Sequence, residues 1–247
     1  MGTTEILFYC LLLLVAFLYA SIGHGGASGY LALMALFGVA PAVMKPTALV
    51  LNLFVSAVSF IQFYRAQHFK KEICWPLIIA SVPMAYIGAQ ITIHDAIYKK
   101  ILGVVLLISV VRFLMPAGNA SGELRPANRT WLFIIGGSIG LLSGMIGIGG
   151  GIILSPILLL LRWATIKQSA ALSAIFIFVN SLSGLAGMIQ SKTAAFTPSM
   201  YAYIGIALLG GLAGAYLGAA RFKNSVLKYI LAVVLLLAVF KLVFTSA

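Results

Sequence analysis

The feature of this sequence that most constrains its fold is a nearly unbroken succession of apolar segments. They cover, approximately, residues 6–22, 30–44, 47–64, 73–93, 97–115, 130–146, 152–164, 168–189, 200–219 and 226–244. A helix that crosses a bilayer needs roughly 20 apolar residues, and several segments approach that length. Only 8% of the residues are charged, whereas a soluble domain usually has about 25%. The sequence therefore predicts an all-α, polytopic membrane protein.

The charge of the chain is strongly basic, with sixteen Lys and Arg against four acids and a net charge of +12. In a soluble domain this balance would suggest nucleic-acid binding. Here the basic residues fall in short loops and at segment ends, where they act as topology signals. We therefore predict a lipid bilayer as the surroundings and no nucleic-acid partner. A basic path through the membrane would also attract anions.

One polar stretch, residues 116–129, interrupts the apolar segments near the middle of the chain, and the two sides of it resemble each other. Four matches occur in the same order: residues 22–26 with 146–150, 45–48 with 167–170, 85–89 with 215–219, and 101–107 with 230–236. We interpret this order as an internal duplication. It divides the chain into a first transmembrane repeat (1–115), a linker (116–129) and a second transmembrane repeat (130–247).

The number of segments in each half determines whether the two repeats are parallel or inverted. Residues 6–44 are either one kinked helix, giving four segments per half, or two short helices that meet at a glycine motif, giving five. With five, the sixteen basic residues divide eleven against five between the two faces; with four they divide evenly. The positive-inside rule favours the uneven division. We therefore predict two inverted repeats, each with a Gly-broken helical hairpin plus three transmembrane helices.

This topology places both termini outside the cytoplasm. The composition fits a multi-pass protein of the cell membrane, a bacterial or archaeal inner membrane. The sequence leaves homo-oligomerisation open.

Two glycine motifs, residues 23–29 (GHGGASG) and 147–151 (GIGGG), occupy equivalent positions in the two halves. Glycine costs about 1 kcal/mol relative to alanine inside a helix, so such clusters indicate a broken helix or a close backbone contact. A helix that starts at a break inside the membrane presents free N–H groups and the positive end of its dipole, which suits an anion. Close packing of small residues between helices is the alternative. The predicted substrate-binding residues of these motifs are Gly23, His24, Gly25, Gly26, Ser28, Gly147, Gly149, Gly150 and Gly151.

The two motifs differ most at His24, whose counterpart is Ile148. His24 could bind an anion, relay a proton or serve only as a buried hydrogen-bond donor. None of the four acids lies in the middle of an apolar segment, so any ion coupling would use histidine, backbone carbonyls or hydroxyls. The sequence has no acid pair, metal-ligand cluster or Ser-His-Asp arrangement, so we predict neither an enzyme nor a cofactor.

Polar side chains follow each glycine motif on the next long segment. Asn52 and Ser56 share one helical face in the first half, and Asn180 and Ser181 occupy the corresponding segment of the second half. Polar residues in lipid are costly and usually face a bundle interior or a water-filled path. They are predicted either to line the substrate path or to form hydrogen bonds between helices, and the two roles are compatible.

A lysine precedes each of these polar segments. Lys45 and Lys167 each lie two residues before a hydroxyl residue, Thr47 or Ser169, that could cap the next helix. A cation beside a capped helix start could guide an anion towards the site. The alternative is an ordinary loop lysine that extends to the membrane interface.

The glycine motifs and the repeated segments together resemble the TauE/SafE family of sulfite exporters. The clearest carriers are residues 144–151 (GMIGIGGG), followed by Ser155-Pro156, and residues 21–29 in the first half. The resemblance covers nearly the whole chain, although His24 and Ala27 depart from the second-half pattern. It implies membrane transport of small sulfur-containing anions such as sulfite or organosulfonates.

The expected function is therefore an exporter of such anions that works by alternating access. The anion would be held at the Gly-rich helix breaks near the membrane centre. A passive anion channel of the same architecture is the alternative. The exact substrate, the direction of transport and the coupling ion stay open.

Overall fold

The structure is a computed structural model that describes residues 2–21, 25–114 and 124–220, together with 232–233, 235–236 and 239–240. The described part of the chain forms nine helices: α1 (Thr3–Ser21), α2 (Ala27–Leu36), α3 (Pro41–Arg65), α4 (Lys71–Gln90), α5 (Asp95–Leu114), α6 (Arg129–Ile146), α7 (Gly151–Leu160), α8 (Ile166–Gln190) and α9 (Ser199–Ala220). The residues described between 232 and 240 are also helical. Most of the predicted tenth segment lies outside the described residues. The prediction of an all-α protein is confirmed.

The helices differ in whether their length and composition suit a membrane span. Within the described ranges, α1, α3, α4, α6 and α8 are long and apolar enough to span a bilayer. Helices α2 and α7 have ten residues each, or about 15 Å at 1.5 Å per residue. Each of these short helices begins within a glycine motif, at Ala27 in residues 23–29 and at Gly151 in residues 147–151.

The short helices return alongside the helices that precede them. The Phe8 ring, near the start of α1, packs edge-on against the Phe37 ring at the end of α2, with centroids 5.1 Å apart. In the second half, the backbone N–H of Arg125, just before α6, donates to the carbonyl of Arg162, just after α7, at 2.9 Å. Both α1–α2 and α6–α7 are therefore the Gly-broken helical hairpins that the sequence predicted.

The connection between α2 and α3 differs from the prediction, because α3 begins earlier than expected. Gly38 adopts a left-handed φ of +74° and ends α2, as glycine commonly does after a helix. Pro41 then occupies the first position of α3, where its missing N–H costs nothing. The boundary predicted between segments 30–44 and 47–64 therefore lies about six residues too late in the sequence.

This shift makes the predicted capping roles of Thr47 and Ser169 wrong, because both residues lie inside helices. The Thr47 hydroxyl donates to the carbonyl of Val43 at 2.6 Å, within α3. Helix α8 is capped instead by Thr165, which exchanges side-chain and backbone hydrogen bonds of 3.0 and 3.3 Å with Gln168.

The two longest helices, α3 and α8, have 25 residues each and form the centre of the bundle. They run antiparallel: Gly184 of α8 lies against Leu49 of α3, and Ser181 accepts a hydrogen bond from Asn52, farther along α3. Since α2 leads into the start of α3 and α7 into the start of α8, the two hairpins approach the centre from opposite ends.

Stripes of glycine bring two further pairs of helices into backbone contact. Helix α6 packs on α4, and α9 packs on α1, with glycines at intervals of four residues. A Cβ atom at any of these glycines would collide with a carbonyl oxygen of the facing helix, so they are small-residue packing contacts. The contacts are Gly136 with Leu77, Gly140 with Ser81, Gly144 with Ala85, Gly210 with Leu13, and Gly214 with Phe17.

The arrangement is the same when the two halves are exchanged. Exchanging α1–α4 with α6–α9 converts the contact of α4 with α6 into the contact of α9 with α1, and it exchanges the two central helices. Opposed hairpins are what an inverted repeat requires. The inverted repeat itself, and the division at 1–115, 116–129 and 130–247, stay predictions.

Candidate anion site at the helix breaks

Both helix breaks are made by glycines with left-handed backbone conformations. Gly26 precedes α2 with φ 91° and ψ −1°, and Gly150 precedes α7 with φ 79° and ψ −13°. Gly147 and Gly149 also have positive φ, at 86° and 76°. Side chains are strained in this conformation, which glycine adopts freely. The residues described in both motifs are buried, whereas Gly23 and His24 lie outside the described residues.

The two motifs meet at a shared pair of side chains, Asn52 of α3 and Ile177 of α8. A Cβ atom on Gly25 would lie 2.9 Å from Ile177 Cγ2 and 3.1 Å from Asn52 Oδ1. A Cβ atom on Gly149 would lie 2.9 Å from the same Cγ2 and 2.8 Å from Asn52 Nδ2. Asn52 and Ile177 are each the twelfth residue of their helices. The hairpin tips therefore meet halfway along the two central helices.

The Asn52 side chain links the second break to α8. Its amide nitrogen donates to the carbonyl of Ile148 at 3.2 Å and to Ser181 Oγ at 3.3 Å. Because a carbonyl oxygen only accepts hydrogen bonds, these contacts define which way the amide points. Its oxygen, Oδ1, faces Gly25 and has no hydrogen-bond partner among the described residues.

The first break is lined by hydroxyl groups. Tyr19 of α1 and Ser28 of α2 form a buried hydroxyl pair at 2.7 Å. The hydroxyl of Tyr30 folds back onto Gly26, where a Cβ atom would lie 2.7 Å from it. Tyr30 is completely buried, and its hydroxyl has no hydrogen-bond partner within the described ranges.

Tyr30 was not among the predicted site residues. Its signal in the sequence is its spacing: it lies four residues after Gly26, and a long helical side chain points back over the preceding turn. A tyrosine at this position can therefore reach the start of its own helix.

The second break is polar at Gly149, where a Cβ atom would lie 3.1 Å from Ser181 Oγ, and apolar where α7 begins. A Cβ atom on Gly150 would meet Ile139 Cγ2 at 2.7 Å and Phe176 Cε1 at 2.9 Å, and a Cβ atom on Gly151 would collide with Ile177. Its nearest hydroxyl pair, Ser155 with Ser173 at 2.7 Å, lies farther along α7.

The remaining predicted polar residues bond mainly within the helices. Ser56 donates to the carbonyl of Asn52 at 2.6 Å, and Asn180 donates to the carbonyl of Phe176 at 2.8 Å. Ser169 donates to the carbonyl of Ser155 in α7 at 3.4 Å. The structure thus brings Asn52 and Ser181 to the breaks, while Ser56, Asn180 and Ser169 make helix contacts.

The two predicted anion-guiding lysines have unlike surroundings. Lys45 is half-buried, and its Nζ lies 4.5 Å from the centroid of the Tyr98 ring, a cation–π contact. Its Cα lies 3.1 Å from where a Cβ atom on Gly147 would be, so Lys45 stands beside the second break. Lys167 is exposed in the first turn of α8.

Together, a bundle of apolar helices and two broken hairpins that meet at a buried polar centre define the class of membrane transporters. The family model described as Sulfite exporter TauE/SafE matches residues 8–242. A probable membrane transporter protein of Sinorhizobium fredii is 35% identical over 233 residues, covering 92% of this chain and 94% of that protein. A probable membrane transporter protein of Methanocaldococcus jannaschii is 29% identical over 141 residues, covering 53% of this chain and 50% of that protein. No solved structure matches the chain.

The chain belongs to the TauE/SafE family and is a multi-pass membrane transporter of that family. The family resemblance drawn from the glycine motifs is thereby confirmed.

Proposed function

We propose that this protein exports small sulfur-containing anions, such as sulfite or organosulfonates, across the cell membrane by alternating access. The observation that carries the proposal is the contact of both glycine breaks with Asn52 and Ile177, midway along the central helices. Helices α2 and α7 both begin there, and the first N–H groups of a helix have no partner within it. An anion at this point would be held by those N–H groups, by the dipole of the helix start and by neighbouring polar side chains.

The packing supports a way of moving helices around this site. The glycine contacts join hairpin α1–α2 to α9 and hairpin α6–α7 to α4, so each hairpin would move together with its partner helix. The hairpins enter from opposite ends of the bundle in the proposed inverted repeat. A displacement of one unit against α3 and α8 would then open the centre to one face only.

The test is counterflow of labelled sulfite in proteoliposomes that contain the purified protein. We expect saturable uptake that is accelerated when the vesicles are preloaded with unlabelled sulfite. The same experiment with organosulfonates defines the substrate range. Uptake that does not saturate and does not respond to preloading would instead identify a passive anion channel. Absence of flux for every sulfur anion tried would refute the proposed substrate class.

The direction of transport needs a second measurement, made in cells. Cells that express the protein should retain less labelled sulfite than cells that express an inactive variant. Greater retention would show that the protein imports its substrate.

A further inference from the structure

Two buried polar atoms at the first break lack hydrogen-bond partners in the described part of the chain. They are the hydroxyl of Tyr30, beside Gly26, and Oδ1 of Asn52, beside Gly25. Both residues have 0% of their surface exposed. Buried polar groups in proteins are nearly always hydrogen-bonded. Two unpaired groups beside consecutive glycines at a helix start therefore indicate a bound molecule.

The chemistry of these two atoms restricts what that molecule can be. Asn52 Oδ1 only accepts hydrogen bonds, so the ligand must carry a donor. The Tyr30 hydroxyl and the first N–H groups of α2 can donate, so the ligand must also carry acceptors. The start of α2 is the positive end of a helix dipole and disfavours a cation. For the anionic substrate class of the proposed function, these requirements describe an anion that retains a proton.

On the basis of the proposed function, we infer that the first break binds a singly protonated oxyanion. Its O–H group donates to Asn52 Oδ1, and its charged oxygens accept hydrogen bonds from the Tyr30 hydroxyl and the N–H groups of α2. Among sulfur anions, the hydroxyl form of hydrogensulfite meets these requirements. Fully deprotonated sulfite lacks the proton, and a simple alkanesulfonate has carbon in place of the O–H group.

Side chains around the second break line the other side of this site. Ile139, Phe176 and Ile177 surround Gly150 and Gly151 with carbon atoms. The polar atoms at Gly149, Asn52 Nδ2 and Ser181 Oγ, are hydrogen-bonded to each other. The site therefore has unpaired polar atoms on the side of the first hairpin and carbon atoms where α7 begins.

The experiment compares hydrogensulfite with methanesulfonate, which has the same charge and similar size but a methyl group in place of the hydroxyl. Binding to the full-length protein in detergent is measured by calorimetry at one mildly acidic pH, where sulfite is mainly hydrogensulfite. We expect hydrogensulfite to bind at least about tenfold more tightly, because methanesulfonate leaves Asn52 Oδ1 unpaired. Equal affinities would overturn the inference and would indicate that an ordered water molecule satisfies Asn52.

Substitutions separate the roles of the two side chains. Tyr30→Phe should weaken both anions by about tenfold, since the hydroxyl contacts their charged oxygens. Tyr203→Phe, a matched change in α9, should weaken neither. Asn52→Leu should remove the preference for hydrogensulfite. Because the Asn52 amide also holds Ile148, the wild-type comparison decides the matter if this variant does not fold.

Failure of this inference is distinguishable from failure of the proposed function. Saturable sulfite counterflow with no preference for the protonated anion overturns only the protonated-oxyanion site. Unchanged binding of both anions by Tyr30→Phe overturns it as well. Absence of sulfite counterflow, by contrast, removes the proposed function on which it rests.

Discussion

Two buried tyrosine hydroxyls stand at the start of α2, and only the removal of one of them should destabilise the ligand-free protein. The Tyr19 hydroxyl is paired with Ser28 at 2.7 Å, whereas the Tyr30 hydroxyl has no partner within the described residues. Both side chains are nearly or completely buried. Tyr19→Phe and Tyr30→Phe therefore delete the same atom from similar surroundings and differ in whether a hydrogen bond is lost.

The expected magnitudes follow from the cost of an unpaired buried group. Tyr19→Phe leaves the Ser28 hydroxyl without its partner, which should lower the free energy of unfolding by about 1–2 kcal/mol. For a chain of this length that corresponds to a fall in Tm of roughly 2–8 °C. Tyr30→Phe removes a polar atom that has no partner, so its effect should be near zero or a rise of about 1 kcal/mol.

Thermal unfolding in detergent can be followed with a dye that becomes fluorescent on reacting with thiols. Cys74 is buried and would react only on unfolding, while the exposed Cys10 is first replaced by Ser. Adding hydrogensulfite should raise the Tm of the Cys10→Ser protein and of its Tyr19→Phe variant. It should raise the Tm of the Tyr30→Phe variant much less. If Tyr30→Phe lowers the ligand-free Tm as much as Tyr19→Phe, its hydroxyl is paired in the resting protein. The reasoning that assigns it to a ligand is then refuted.

Three further predictions concern the entrances, the breaks and the topology. Lys45 lies seven residues before Asn52, or about 10 Å along α3. At this distance and an effective dielectric constant near 20, the charge of Lys45 should contribute about 1.5 kcal/mol to anion binding. Lys45→Gln should thus weaken sulfite binding roughly tenfold in a titration, while the same change at the exposed Lys167 should have little effect; equal losses would contradict this difference. Gly149→Ala should abolish sulfite counterflow, because a Cβ atom there would lie 2.8 Å from Asn52 Nδ2 and the backbone is left-handed. Gly205→Ala is the control, since a Cβ atom there would meet nothing within 4 Å. This variant should retain counterflow and gain up to about 1 kcal/mol of stability. Single cysteines in the α3–α4 and α8–α9 loops should react with an impermeant maleimide from opposite faces of the membrane, and labelling from one face would contradict the inverted repeat.

The helix breaks were predictable from the sequence because they depend on local backbone chemistry. Glycines at 26 and 150 adopt conformations that strain other residues, so a cluster of them reveals a break without knowledge of the fold. The hairpins follow from the short apolar segment after each cluster. The start of α3 was harder to predict, because hydropathy continues from α2 into α3. Only Gly38 and Pro41 mark the boundary, and they do so by conformation rather than by polarity.

The site was predictable only in part, because several roles depend on where helices begin. Thr47 and Ser169 looked like caps until the structure placed them inside α3 and α8. Tyr30 resembled any aromatic residue of an apolar helix, and its position beside Gly26 becomes visible only when Ala27 is known to begin α2. Asn52 and Ser181, which do lie at the breaks, could be singled out because a polar side chain in an apolar segment needs a partner wherever the helix ends.

The two halves share a scaffold and differ in the chemistry at its centre. The twelfth residue of α3 is Asn52, while the twelfth residue of α8 is Ile177, and both contact the same two glycines. The predicted duplication would supply two similar hairpins, which the proposed alternating access requires. Divergence at these positions leaves the hydroxyls and the unpaired amide oxygen on the first hairpin and α3. In the proposed mechanism the anion would stay bound to those groups while the second break, apolar at the start of α7, moves past it. The affinity for the anion would then depend mainly on the first half, and access of the site to each face of the membrane would depend on the movement of both halves.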